Sequence, residues 1–458
     1  MGANKPSTRH GIAALLRGKT LRDGLWIFVA KICGMAAGLL SISLLTRILN
    51  QNDMGIFLLL FALSGFLAII IQSGLAVAAM KLIAQSMAKA EPAKLRQIVF
   101  QTLRLLLLSS GIFGFLWLAG AGGFVLNGLF FIGAEWSLVV LVWAILLAVQ
   151  KVFSEFFRGF QFLRLAGLFD GAGSAVIFAT LLVTLFVFSR NLSLEQVIIL
   201  ATFGIFITCM AAGILFFRNA KISRRVNLTA PIGLGALAIP IFLTEITVFF
   251  NNQADIWIVA AFLSHQDVAV YGVVLRLALL VLLPGMIVNA VIAPQIVRLF
   301  ELNKLDQLER VLRLGAFVSG VPAVLALVIV AIFGKEILTI LFGSNYAWAS
   351  FTLVILCAGR VVNALTGSCG QCLLLCGHQV LMMKSTAVFS VLALISAAIA
   401  AQYWGIVGVA CCFAFGMSVQ NIAHYLWVKK LIGVSTLATI HALKSHYLSG
   451  ENFEKLPT

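Results

Sequence analysis

Charge is scarce in this sequence: 10 % of its 458 residues are charged and 62 % are hydrophobic, with a mean hydropathy of +1.08. So few ionisable groups cannot solvate the surface of a water-soluble fold, which leaves lipid as the solvent. Dyad alternation is also missing. The apolar segments run roughly twenty residues without it, which excludes a closed barrel and selects membrane-spanning helices. No GxxxxGKS loop is present, which excludes direct ATP coupling at such a site. The run from Gly24 to Thr46 lacks a clear cleavage site and is too long for a signal h-region, so it reads as an uncleaved first span. Cys369, Cys372 and Cys376 share a helical face, but no matching His or Cys set accompanies them. They read as small apolar residues of packed helices, and neither metal nor cofactor is expected.

What is present organises into twelve spans, near 24–46, 54–74, 98–119, 136–150, 166–188, 196–217, 232–262, 268–294, 314–333, 349–376, 383–402 and 405–428. The expected fold is all-α and integral to the membrane, in two six-helix bundles. A cytoplasmic arm (1–23) precedes the first bundle (24–217). A cytoplasmic linker (218–231), the second bundle (232–428) and a cytoplasmic tail (429–458) follow. With the N-terminus inside, the inner segments hold 25 of the 32 Lys and Arg, counting Lys384 at the inner edge of its span, the outer loops hold only Arg47, Arg190 and Lys335, and the other four lie within spans. Shifting the register by one span would export the clusters Lys81 to Arg96, Arg218 to Arg225 and Arg298 to Arg313. The net charge of +16 is thereby explained by orientation, with no nucleic-acid partner.

The halves repeat one another. Leu49, Asp53, Gly55, Ile56 and Phe57 fall opposite Leu263, Asp267, Ala269, Val270 and Tyr271, 214 positions later; Arg158, Gly159 and Gln161 fall opposite Cys376, Gly377 and Gln379. An even number of spans per half gives both halves one orientation, hence a pseudo-two-fold along the membrane normal and a cavity between two bundles.

Three segments carry a family likeness: Leu45 to Leu49 with Asp53 to Phe57; Asp255, Phe262 to Ser264, Asp267, Val268, Tyr271, Arg276, Leu277 and Pro284; and Gly334 to Leu338 with Leu341 to Gly343 and Tyr346. In these the chain resembles the polysaccharide-export branch of the multidrug/oligosaccharidyl-lipid/polysaccharide flippases, the Wzx-type O-antigen flippases, although Ala269 replaces a usual glycine. The resemblance implies a bacterial inner-membrane carrier for undecaprenyl-diphosphate-linked sugars, used in O-antigen and lipopolysaccharide synthesis, with a V-shaped cavity worked by alternating access. It also implies lipid-linked oligosaccharide and membrane lipid as partners, with polysaccharide-assembly proteins as candidates.

Ionisable groups at depth are the candidates for function, since each costs about 2.5–3.5 kcal/mol on insertion scales. Arg104 and Asp170 lie near the inner boundary, where side chains snorkel to headgroups. Arg276 and Arg360 lie roughly 12 and 16 Å below the outer boundary, beyond that reach. Asn363, Gly367 and Gln371 follow Arg360 on one helical face, and a guanidinium fork suits a diphosphate. Lys31 shares a face with Gly34, Gly38 and Ser41, which suits either close helix contact or cavity lining. The expected substrate contacts are therefore Arg276, Arg360, Lys31, Asn363 and Gln371, with ion pairs to Glu245 or Asp255 as the structural alternative for the arginines. In the seventh span, Pro240 and the polar stretch of Glu245, Asn251, Asn252, Gln253 and Asp255 predict a kinked or broken helix. Glu245, Asp255 and Asn252 are the candidates for ion coupling, with a salt bridge as the alternative for Glu245.

A cation-coupled multidrug exporter of the same fold is the rival function. The deepest two charges are basic, which favours an anionic substrate. An oligosaccharide polymerase or ligase would need catalytic groups in an outer loop. The longest, from Gly120 to Ala134, carries no acid or base, so no enzyme is expected.

Overall fold

The computed structural model describes residues 8–89, 91–188, 192–220 and 233–438. Arg190, most of the expected linker and the tail beyond residue 438 lie outside the described residues. The described residues are predominantly helical, with no strand among them. The first half comprises α1 (Thr8–Ile48), α2 (Gln51–Gln72), α3 (Leu75–Ala88), α4 (Pro92–Leu116), α5 (Ser137–Gly159), α6 (Leu163–Gly167), α7 (Gly173–Phe188) and α8 (Leu194–Asn219). The second comprises α9 (Leu234–Phe262), α10 (His265–Leu279), α11 (Leu283–Glu301), α12 (Leu305–Phe342), α13 (Ser350–Thr366), α14 (Cys369–Leu375) and α15 (Gln379–Leu431).

Ten helices among the described residues are long and apolar enough to cross a bilayer, and the bent α9 makes an eleventh. The twelfth lies within α15, whose 53 residues would span roughly 80 Å at helical rise, far more than a ~30 Å hydrocarbon core. Gly405, at φ 55 and ψ −143, breaks it into two crossings, a conformation that a Cβ would strain.

The seventh span is bent, as its polar stretch predicts, and two local expectations are corrected. The seventh span bends by 57° between Leu234–Phe250 and Asn252–Phe262, not at Pro240, which α9 accommodates inside the helix. Near that bend the Asn252 amide donates to the Val248 carbonyl at 2.8 Å, competing with the helix ladder. The tenth span breaks at Gly367, φ 70, so Arg360 and Asn363 sit on α13 and Gln371 on α14; they do not share one continuous face. The connection after the second span contains the apolar helix α3, set off by left-handed Ser73 and Gly74.

The repeat is visible in the elements. α2 and α10 begin at Gln51 and His265, α4 and α12 at Pro92 and Leu305, α5 and α13 at Ser137 and Ser350, offsets of 214, 213 and 213 residues. The short matched motifs are largely capping chemistry. The Asn50 side chain accepts from the Asp53 amide and caps α2; Ser264 and Asp267 form a capping box on α10. This shared end is called the cap end below, and the opposite one the basic end.

Packing distinguishes the two ends. One apolar core at the cap end is common to both halves, joining Leu45, Leu60 and Trp143 to Val259, Tyr271 and Leu353. Towards the basic end the buried residues separate into two cores. One holds Ala79, Phe156 and Phe216 of the first half together with Leu234 and Ala238 of α9. The other holds Ile296, Leu312, Leu373 and Val428 of the second half. Polar ties reinforce the cap end. Arg47 donates to the Ile340 carbonyl at 2.7 Å, Gln51 to the Asn345 carbonyl at 3.1 Å and Ser43 to the Leu341 carbonyl, while His265 Nε2 lies 2.8 Å from the Phe130 carbonyl. The halves are thus joined at the cap end and parted towards the basic end, except where the start of α9 packs against α3.

Candidate functional site

Between the parted halves lies a cavity of about 480 Å³. Its walls come from α1, α2, α5, α7 and α8, and α10 and α11 reach in from the second half. Lys31, Gly34, Gly38 and Ser41 all line it; Gly38 borders open space, whereas a Cβ at Gly34 would meet Ala172 at 2.8 Å, so the small-residue face of α1 serves both cavity lining and close contact. Gln150 and Ser174 also line it, tied by a 3.0 Å hydrogen bond.

Arg276 enters this cavity from α10. Its guanidinium carbon stands 5.6 Å from the centre of the Phe61 ring, a cation–π arrangement. Among the described residues it has no ion-pair partner. Phe57 and Phe61, one helical turn apart on α2, both line the cavity. Asp170, the acid at its edge, is already neutralised: Lys151 lies 3.2 Å and Arg158 2.5 Å away. The same two bases hold Glu155, which is 2 % exposed, at 3.0 and 2.5 Å. Asp170 is therefore placed by an ion network, not by snorkelling, because the broken turn at Asp170 and Gly171 brings it to α5. With its acid paired, the cavity retains Lys31 and Arg276 as cations without an ion-pair partner among the described residues.

Arg360 lies elsewhere. It is 6 % exposed inside the second half, with Nη1 3.6 Å from Met417 Sδ, and it does not line the cavity. It acts electrostatically on Asp255, which accepts from the Tyr271 hydroxyl at 3.1 Å and the Ile256 amide at 2.9 Å. Asn363 bonds Asn421 at 3.2 Å, tying α13 to α15; Gln371 donates to the Asn289 carbonyl at 3.2 Å, tying α14 to α11. Glu245 is half-buried, with one carboxylate oxygen lacking a hydrogen-bond partner among the described residues. The charges acting on it are Lys151 and Glu155 of the first half. The structure thus brings Lys31 and Arg276 to one cavity, and sets Arg360 within electrostatic range of Asp255 and Glu245 within that of Lys151 and Glu155.

Sequence reasoning did not single out Phe61, Gln150, Ser174 or the ion network. Lys151, Glu155 and Arg158 stand at i, i+4 and i+7, a legible helical pattern. Asp170 joins them only through the broken turn.

Comparison with known proteins supports this architecture. A multidrug resistance MATE family transporter of the MOP superfamily, in an inward-facing conformation, matches 87 % of this chain and 94 % of its own, at TM-score 0.72 and 16 % identity. The lipid II flippase MurJ, in an inward closed conformation, matches 93 % of each chain at TM-score 0.64 and 14 % identity. At such identities the likeness is one of fold. In sequence, the probable low-salt glycan biosynthesis flippase Agl15 of Haloferax volcanii is 26 % identical over 186 residues, 41 % of this chain. The match spans only 39 % of that relative's length. The polysaccharide biosynthesis protein family matches residues 20–300. With well over half of its length so matched, the chain belongs to the polysaccharide biosynthesis protein family.

Proposed function

We propose that this protein is a flippase that carries an anionic lipid-linked oligosaccharide, of the undecaprenyl-diphosphate type, across a bacterial inner membrane by alternating access. The observation that carries this reading is Arg276, a cation with no ion-pair partner among the described residues, in a cavity whose acid is already paired. A guanidinium on an aromatic face, with its fork free, can hold a diphosphate at low desolvation cost. Lys31 adds a second positive charge in the same cavity. Residues 24–217 and 232–428 are taken as the two moving units, and no covalent chemistry is required of either. Arg360, Asn363 and Gln371 would act at one remove by holding the second half together.

The basic end is taken as cytoplasmic, because the Lys/Arg bias requires it. Cysteines placed at exposed Lys304 and Lys335, in a background lacking exposed Cys33 and Cys411, give the measurement. Impermeant maleimide added to intact cells is expected to modify position 335 and spare 304; the reverse pattern overturns the orientation.

Glu245 is the candidate for coupling, with Asn252 and Asp255 beside the bend. Its carboxylate lies within electrostatic range of Lys151 and Glu155 of the opposite half, so its protonation or cation occupancy can bias the bend. Proteoliposomes test both parts of the reading. Movement of a short-chain prenyl-diphosphate oligosaccharide is expected, stimulated by an imposed proton or sodium gradient and losing that stimulation in Glu245→Gln. Equal gradient dependence in both proteins removes Glu245. Movement of a cationic dye in place of the glycolipid establishes the rival reading as a cation exporter, which the MATE likeness of fold fits equally.

A further inference from the structure

A second cavity, of about 410 Å³, lies at the cap end. Its walls are Thr46, Leu49, Asn50, Gln51, Asn52, Gln266, Asn345 and Tyr346. Five carboxamides converge there, and no charged side chain among the described residues lines it. Asn50 is occupied in capping α2, and Gln51 donates to the Asn345 carbonyl. The side chains of Asn52, Gln266 and Asn345 are exposed and have no hydrogen-bond partner among the described residues. The Tyr346 hydroxyl likewise has none, although the residue is only 2 % exposed.

Carboxamides each present a donor and an acceptor side by side, the pattern that vicinal hydroxyls complement. An uncharged lining offers no preference for an anion or a cation, and the volume falls within the range of small-ligand sites, about 300–1,000 Å³. We propose that this cap-end pocket is a binding site for a neutral oligosaccharide, separate from the charged cavity of Arg276. The assignment deepens the flippase reading and rests on it for the source of the sugar.

The walls come from both halves. Asn50 to Asn52 belong to the turn between α1 and α2, whereas Gln266 opens α10 and Asn345 follows α12. The pocket exists only while the cap end is closed, and opening that end divides it. A bound sugar therefore favours the closed cap end in proportion to its occupancy.

The test uses the full-length protein in lipid nanodiscs. The probe is the neutral oligosaccharide released by mild acid from the host's own lipid-linked pool and freed of phosphate. Saturable binding by titration calorimetry is expected, weakened about tenfold by Gln266→Ala or Asn52→Ala, for loss of one or two neutral hydrogen bonds. Both positions are exposed, so folding is not at stake; Tyr346→Phe is a third variant that keeps the ring. No binding of the free sugar, or binding unchanged in all three variants, overturns the proposal. A sugar-free prenyl diphosphate serves as the second probe and addresses the Arg276 cavity alone, so its failure to bind counts against the flippase reading and not against this pocket.

Discussion

Replacing Arg276 by alanine is expected to lower transport of a diphosphate-linked glycan by about 10- to 150-fold at matched protein level. Charge-assisted hydrogen bonds are worth about 1.5–3 kcal/mol, and each 1.4 kcal/mol is about tenfold. The effect on folding should be small, because the guanidinium gives up only its contact with the Phe61 ring, about 0.5–2 kcal/mol. Arg276→Lys should recover part of the activity, since the charge remains while the bidentate fork is lost. Initial rates in proteoliposomes, normalised to reconstituted protein, are the measurement. Wild-type rates in Arg276→Ala would leave the residue as a packing element on Phe61 and remove the main support for an anionic substrate.

An effect of similar size, on the packing of the two halves, is expected at Gly55. A Cβ there would stand 1.8 Å from the His265 carbonyl oxygen and 2.7 Å from its carbon. Both are backbone atoms at the start of α10, so no rotamer change relieves the overlap. Gly55→Ala must therefore drive α2 from α10, where the two halves share their apolar core. Overpacking of this kind typically costs about 1–3 kcal/mol, and rigid backbone on both sides places this site at the upper end. The expected outcome is a cap end shifted open, read as a longer distance between spin labels at exposed Asn52 and Asn345. An unchanged distance in a well-folded variant would show that this close approach does not hold the end closed. The equivalent position, Ala269, already carries a methyl and is fully buried, so the two halves are not symmetric here.

Both effects were partly legible in the sequence, for different reasons. Hydropathy located the spans because lipid demands long apolar helices, and depth singled out Arg276 because a charge there has no route to water. The likeness of Asp53 to Asp267 was visible as letters, and the structure supplies its meaning as helix capping. Depth could not separate Arg276 from Arg360, since distance from a boundary says nothing about which way a helix turns its face. One lines the cavity and the other lies inside the second half, near Asp255. The break at Gly367 was hidden because glycine is common in membrane helices and marks a break only when its φ is known, whereas the one at Gly405 falls where spans 383–402 and 405–428 were expected to meet. Pro240 drew attention to the seventh span, yet the bend lies at residue 251, beside an asparagine amide that competes for a backbone carbonyl. The ion network escaped because its fourth member lies across a broken turn. The cap-end pocket escaped because its carboxamides are scattered over three connections.

The position of the seventh span bears on how the protein is made. Its first part, through Leu234 and Ala238, fills the apolar core of the first half, although the linker precedes it in sequence. A nascent chain inserted only as far as Asn219 therefore lacks two members of this core, Leu234 and Ala238, which α9 brings against α3. The first half is completed when the ribosome has delivered α9, and the covalent boundary between the halves falls about thirty residues before the boundary at which each can close its core.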